Sequence, residues 1–377
     1  MDALRGNHST SSSLPPGWIA STEERIGAAS LATFLTAINR TEIYEQHRLE
    51  PVKELSQGTS FKVHACKDVE EGRIVAVKQL HTTEEPSSPG TIPDSILQEM
   101  MISVWPLFIE HPNITRTLGC QYFLSDGDGP TINLVLEYSE KGSLGQYLEG
   151  GSFNSTTTSD QKRALALDIA SGLECLHKSR VIHGDLKPEN ILLFPRPSLN
   201  PRFPLMAKLV DFGNAVIEDV YSKDFRGAKQ NLGYYGTPMW VPPIVYELNH
   251  QVPFHKMPAC DVFSYGLILW SIYKGFKYTR ESPAVEDKAR CAMTKLEFSA
   301  LNVAFEQFLS KYAEYSSDKE TDILKWAFYK CVEKADWDKS ETQNSLHQQG
   351  KKPSEELFSL ILEVKNILLT NFIEEGE

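Results

Sequence analysis

The spacing of apolar residues divides the chain into a short strand-rich part and a longer helix-rich part. Between about residues 50 and 137, Val- and Ile-rich segments such as 73–78 and 132–137 indicate β-strands. A helical segment near residues 94–105 interrupts these strands. Apolar positions then recur with helical spacing, beginning with residues 160–177. The pattern predicts an α+β protein in which a small sheet precedes a larger set of helices.

Both ends of the chain carry recognisable patterns. Residues 1–17 are rich in Ser, Thr, Pro and Gly, which predicts a disordered tail. Apolar residues then recur at i, i+3, i+4 and i+7, at Leu31, Phe34, Leu35 and Ile38. This spacing predicts a helix that packs on the following domain or docks a partner. Residues 357–368 have the same helical spacing and predict a last helix, either in the core or for docking. Thr158 and Gln161 have the spacing of a capping box at a helix start.

Composition narrows the class of protein. The 377 residues suggest two to three compact units, or one two-lobed domain with tails. An apolar content of 41% excludes wholesale disorder. The formal charge of -12 argues against nucleic acid or an anionic membrane as the main partner. No apolar run approaches a membrane-spanning length, and six scattered cysteines form no disulfide framework, so we expect a soluble protein of the cytosol or nucleus.

Polar residues with related chemistry stand in three places. Asp185, Lys187 and Asn190 share a tight, Pro-containing loop between apolar flanks. Asp211 follows 21 residues after Asn190, and Lys78 ends a predicted strand. Oxygen ligands for a metal, cations for phosphates and a carboxylate for an acceptor hydroxyl are what phosphoryl transfer from a Mg²⁺-bound nucleotide requires.

These residues and their order resemble the eukaryotic protein kinase family over about residues 50–370. Further segments resemble the family's markers in the same order: residues 55–63, 111–114, 136–139, 142–144, 236–238, 261–266 and 352–357. The resemblance implies a bilobal α+β fold with a kinase domain at 46–372, divided into lobes at 46–137 and 138–372. Residues 1–45 would then form an N-terminal extension and 373–377 an acidic tail.

The resemblance also implies roles for individual residues. Asp185 would be the catalytic base and Lys187 would neutralise the transferred phosphoryl group. Asn190 and Asp211 would hold Mg²⁺.

The nucleotide site is implied in the same way. Lys78 would contact the α- and β-phosphates of ATP with Glu99 as its ion-pair partner, although Glu99 could instead be an exposed acid on its helix. The adenine would bond to the backbone of Glu137 and Ser139. The other implied nucleotide contacts are Gly58, Val63, Ala76, Leu136 and Leu192.

Several positions depart from the family pattern. Ser56 and Phe61 replace two glycines of the Gly-rich loop, so we expect Phe61 to alter the loop path or turn outward and to weaken ATP binding. Gly184 replaces the arginine that grips a phosphorylated activation loop. We therefore expect basal activity without phosphorylation of any of the following: Tyr221, Ser222, Tyr234, Tyr235 and Thr237.

Other departures concern the second lobe. Ile244 and Lys352 replace both halves of a family ion pair, which leaves Lys352 to reach solvent or Glu247. Residues 195–204 and 335–350 read as surface insertions that could recruit a partner.

Three functions are compatible with these residues. The first is a serine/threonine kinase that uses ATP and Mg²⁺ on protein substrates, as the segment 185–190 and Gly236–Pro238 favour. The second is a pseudokinase scaffold, favoured by the degraded Gly-rich loop and Ile244. The third is tyrosine or dual specificity.

Overall fold

The computed structural model describes residues 42–57, 61–80, 99–102, 105–125, 129–150, 157–197, 203–217, 233–237, 240–274, 331 and 365. Several predictions lie outside these residues. They are the N-terminal tail and helix, Gly58, the insertion at 335–350, Lys352, and the last helix apart from Lys365.

A six-stranded sheet forms the first lobe, in the order β1-β5-β6-β4-β3-β2. Its strands are β1 (Glu42–Tyr44), β2 (Leu49–Gln57), β3 (Phe61–Asp68), β4 (Ile74–Leu80), β5 (Thr117–Ser125) and β6 (Gly129–Glu137). Neighbouring strands are antiparallel except β1, which runs parallel to β5. β1 lies before residue 46, and its Tyr44 is buried against Val75, Val77 and Val135.

Helices dominate the second lobe. They are α2 (Leu144–Glu149), α3 (Ser159–Lys178), α4 (Pro243–Glu247) and α5 (Met257–Lys274). The first lobe contributes the short helix α1 (Pro106–Ile109) and the helical residues 99–102. Buried apolar residues of α3 and α5, such as Leu173 and Phe263, form the main core. The bilobal α+β fold expected from the sequence is confirmed. No helix among the described residues is long and apolar enough to cross a membrane.

The start of α3 shows half of the expected capping box. The Thr158 hydroxyl accepts the amide of Gln161 at 3.2 Å. The Gln161 side chain, however, bonds both backbone groups of Leu205 at 3.1 and 3.3 Å. Gln161 therefore joins α3 to a neighbouring strand, where the sequence predicted a reciprocal cap.

Two small antiparallel sheets shape the surface that faces the first lobe. β7 (Val181–Ile182) pairs with β10 (Val216–Ile217), and β8 (Ile191–Pro195) pairs with β9 (Leu205–Leu209). The loop between β7 and β8 and the segment after β9 are thereby brought together: the Val210 amide donates to the Asn190 carbonyl at 3.1 Å.

Candidate active site

Lys78 lies at the centre of a buried ionic cluster supplied by three separate elements. Its ammonium Nζ is 2.6 Å from Glu99 Oε2 and 2.7 Å from Asp211 Oδ1. Lys78 belongs to β4, Glu99 to the helical residues 99–102, and Asp211 to the segment after β9. The expected Lys78–Glu99 ion pair is confirmed. The alternative of an exposed acid is wrong, because the Glu99 side chain is 1% exposed.

Desolvation and charge act in opposite directions on this cluster. Burial alone would lower the pKa of Lys78, but the carboxylates of Glu99 and Asp211 raise it. Burial raises the pKa of Glu99 because Lys78 opposes it only in part. Desolvation would also raise the pKa of Asp211, yet Lys78 and the Gly213 amide hold it below its ordinary value. At neutral pH, Lys78 is therefore a cation and Asp211 a carboxylate.

The backbone around Asp211 separates a polar from an apolar side chain. Asp211 has a φ of 67°, in the left-handed region. Phe212 is buried in the core, its ring centroid 5.4 Å from that of His183, and its amide bonds Glu99. This geometry leaves the Asp211 side chain 40% exposed while Phe212 fixes the segment to both lobes.

Asp185 is held in the β7–β8 loop (residues 183–190) by four donors. Its Oδ1 accepts the amide and the hydroxyl of Thr237 at 2.7 and 2.6 Å. Its Oδ2 accepts Lys187 Nζ at 2.6 Å and Asn190 Nδ2 at 3.2 Å. Lys187 also donates to the Thr237 hydroxyl at 2.8 Å. The predicted catalytic pair and one predicted metal ligand therefore meet at one carboxylate.

A second carboxylate, Asp261 of α5, anchors this loop from beneath. Its Oδ2 accepts the His183 amide at 2.8 Å and lies 3.0 Å from His177 Nε2. Its Oδ1 accepts the Gly184 amide at 3.1 Å and the Tyr234 hydroxyl at 3.0 Å. Burial would raise the pKa of Asp261, but His177 and His183 keep it below its ordinary value. One buried anion thus joins both long helices, the β7–β8 loop and the segment around Tyr234.

The residues named as phosphorylation candidates differ in exposure. Tyr234 is 1% exposed, and burial next to Asp261 raises its pKa well above the ordinary value. Tyr235 is exposed and stacks on His250. The Thr237 hydroxyl is engaged by Asp185. Tyr221 and Ser222 lie outside the described residues.

One face of the sheet carries the predicted nucleotide contacts of the first lobe. Val63 pairs with Lys78, and Ala76 pairs with Leu136, so these four side chains lie on the same face. Phe61 is two residues before Val63 and shares that face. Its ring centroid lies 4.3 Å from Lys78 Nζ. The expectation that Phe61 turns outward is therefore wrong: the cross-strand register directs the ring inward.

The predicted adenine contacts lie along the connection between the lobes. The Glu137 amide donates to the Arg116 carbonyl at 3.0 Å, while its carboxylate binds Lys208 at 2.7 and 2.8 Å. The Ser139 hydroxyl donates to a carbonyl of β8 at 2.6 Å. Leu192 lies in β8 opposite Lys208. These contacts hold the connection against the second lobe, beside the face that bears Leu136.

Asn190 and Asp211 have the chemistry of Mg²⁺ ligands. The Asn190 amide nitrogen donates to the Asp185 carbonyl and carboxylate, which leaves the amide oxygen as its acceptor. Asp211 presents a partly exposed carboxylate. Carboxylate and amide oxygens are suitable Mg²⁺ ligands, and the Val210–Asn190 backbone bond keeps the two residues near each other. The residues present therefore fit the metal.

Three contacting residues were absent from the predicted site. Thr237 belongs to a motif that the sequence identified, yet its bond to Asp185 spans 52 positions and no local pattern signals it. Tyr234 reaches Asp261 in the same way. Phe61 could have been found, because its two-residue spacing from Val63 on a strand places both on one face.

The bilobal fold and this cleft of lysines and carboxylates define a protein of the kinase class. The sequence model described as "Protein kinase domain" matches residues 49–335, and the chain belongs to that family.

Curated relatives agree with this assignment. The chain is 29% identical over 244 residues to the MAP kinase kinase kinase SSK2 of Saccharomyces cerevisiae, a match covering 58% of this chain and 14% of the relative. It is 30% identical to a mitogen-activated protein kinase kinase kinase of Drosophila melanogaster, in a match that covers 62% of this chain and 18% of the relative. It is 26% identical to mitogen-activated protein kinase kinase kinase 5 of Arabidopsis thaliana, in a match that covers 73% of this chain and 36% of the relative. The chain therefore matches only a minor part of each of these relatives.

Proposed function

We propose that the chain is an active serine/threonine protein kinase that transfers the γ-phosphate of ATP to protein hydroxyls. Asp185 is the base that orients the acceptor hydroxyl and takes its proton, and Lys187 binds the transferred phosphoryl group. Lys78, paired with Glu99, binds the α- and β-phosphates. Asn190 and Asp211 would hold Mg²⁺, which neutralises phosphate charge when bound.

The arrangement of donors at Asp185 carries this proposal. Two carboxylate oxygens offer about four acceptor positions, and Thr237, Lys187 and Asn190 occupy them. A substrate hydroxyl must therefore replace one donor. Lys187 is suited to leave, because its ammonium is the group that turns to the phosphoryl oxygens. Arrival of the phosphoryl group would in this way free Asp185 for the hydroxyl.

A pseudokinase scaffold is the second candidate, and one observation favours it. The Phe61 ring lies against Lys78, on the face where the nucleotide would bind. Retention of the full set of lysines and carboxylates opposes this reading, because a scaffold has no need of a base held by four donors.

Phosphotransfer to a generic Ser/Thr protein substrate with Mg-ATP tests the proposal. The wild type should be active, whereas Asp185→Ala and Lys78→Met should lose almost all activity. Lys67→Met is the matched control, since Lys67 is an exposed lysine of the neighbouring strand β3. Equal signals from the wild type and Asp185→Ala would support the scaffold. Phosphoamino-acid analysis of the product should show phosphoserine or phosphothreonine; phosphotyrosine would contradict the stated specificity.

A further inference from the structure

Phe61 lies directly beside Lys78, the first-lobe cation that the proposed function assigns to the nucleotide phosphates. Its ring centroid is 4.3 Å from Lys78 Nζ, well within the roughly 6 Å range of cation–π contact. The ring is half-buried. It lies on the sheet face that bears Val63 and Ala76, at the end of β3 that joins the Gly-rich loop.

The ammonium of Lys78 has little capacity left for another partner. It has three N–H donors, and two of them meet Glu99 and Asp211 at 2.6 and 2.7 Å. Phe61 lies over the same ammonium. A phosphate oxygen that approaches Lys78 from the side of the ring must therefore replace Phe61.

The face of an aromatic ring attracts a cation and repels an anion, because its π-system is electron-rich. The ring that stabilises Lys78 therefore disfavours a phosphate at the same position. Adenosine differs, since its base would contact the apolar residues Val63, Ala76 and Leu136 and requires nothing of Lys78.

We propose that Phe61 caps the phosphate subsite, so that nucleotide phosphates bind only when its ring leaves Lys78. This inference rests on the proposed function, because it assumes that ATP binds in this cleft. Its consequence is selective: Phe61 weakens binding of ATP and leaves binding of adenosine unchanged.

Titration calorimetry with ATP and with adenosine tests the cap in the full chain. Phe61→Leu keeps an apolar side chain on the strand but removes the π-system, and Phe61→Ala also removes the bulk. We expect ATP to bind about tenfold more tightly to Phe61→Leu, in keeping with the worth of a cation–π contact that is only partly desolvated. Binding to Phe61→Ala should be at least as tight. Adenosine affinity should not change.

His64→Gln is the matched control. His64 lies on the same strand, and its odd spacing from Phe61 directs it to the opposite face. It should bind both ligands as the wild type does. A gain in ATP affinity for His64→Gln equal to that of Phe61→Leu would overturn the cap, because it would show a general effect on the strand.

A spectroscopic measurement reports the ring directly. With 4-fluorophenylalanine at position 61, the ¹⁹F resonance should shift when ATP is added and stay in place with adenosine. Equal shifts with both ligands, or ATP and adenosine affinities that change together in Phe61→Leu, would overturn the cap while leaving ATP binding intact. Failure of every variant to bind either ligand would instead overturn the proposed function, and the cap with it.

Discussion

Replacement of Gly184 should destabilise the protein by an amount that its backbone geometry determines. The family resemblance implies an arginine here, so restoring a side chain looks harmless from the sequence. In the structure Gly184 has a φ of +79°, and a Cβ at this residue would lie 2.1 Å from the carbonyl oxygen of Asn214. A backbone carbonyl cannot rotate away as a flexible side chain can.

Two costs contribute to Gly184→Ala. The left-handed conformation costs an L-residue about 1–2 kcal/mol. Forcing an atom into a filled site costs about 1–3 kcal/mol more, so the total should be about 2–5 kcal/mol. Gly72→Ala separates the conformational cost from the steric cost, because Gly72 has a φ of +70° and a Cβ there would meet nothing within 4 Å. Gly72→Ala should therefore lower the free energy of unfolding only by the conformational cost, about 1–2 kcal/mol.

Urea unfolding of both variants, with the wild type alongside, measures the difference. We expect similar m-values and a larger loss of unfolding free energy for Gly184→Ala than for Gly72→Ala. Gly184→Arg should be no more stable than Gly184→Ala, since the guanidinium does not remove the contact at Cβ. Equal losses for the two alanine variants would refute the steric reasoning.

Four further results are expected from contacts at the site. Thr237→Val should lower kcat about 100-fold, because Asp185 is then misplaced. Thr237→Ser keeps the hydroxyl and should retain most of the wild-type kcat. Equal kcat values for the two variants would exclude a positioning role for the hydroxyl. Tyr234→Phe should cost about 1.5–3 kcal/mol in urea unfolding, because a buried hydroxyl bond to a carboxylate is lost; an unchanged midpoint would contradict this. The pKa of Asp261 is lowered in the folded state, so its stabilisation is present above about pH 4 and lost as the pH falls through the folded-state pKa. The free energy of unfolding should accordingly fall less steeply with decreasing pH in Asp261→Asn than in the wild type, and a steeper fall would contradict a lowered pKa of Asp261. Phosphatase-treated protein should keep its activity, because Gly184 offers no guanidinium to a phosphate; inactivity that loop phosphorylation reverses would disprove this.

Local patterns were sufficient to predict the lobes and much of the site. Strand alternation and helical spacing gave the order of elements, and the order of motifs predicted the Lys78–Glu99 pair. β1 escaped prediction because three residues are too few to show an alternation. It is recognisable only through the burial of Tyr44 against other strands.

The missed contacts depend on distant parts of the chain. The inward direction of Phe61 depends on the register of β3 with β4, which places Val63 opposite Lys78. The bond from Tyr234 to Asp261 spans 27 positions. Local sequence spacing does not predict a contact between residues this far apart, since such contacts arise from packing of the second lobe as a whole.

The position of Asp261 has a consequence for hydrogen exchange. The amides of His183 and Gly184 are bonded to a fully buried carboxylate in α5, the apolar helix at the centre of the second lobe. We expect these amides to exchange only when the contact between the loop and the core of the lobe opens. The β7–β8 loop thus shares the free energy of the lobe's cooperative unfolding, unlike an ordinary surface loop that opens by itself. The rigidity of the loop around the proposed base, Asp185, therefore depends on the folding of the whole lobe.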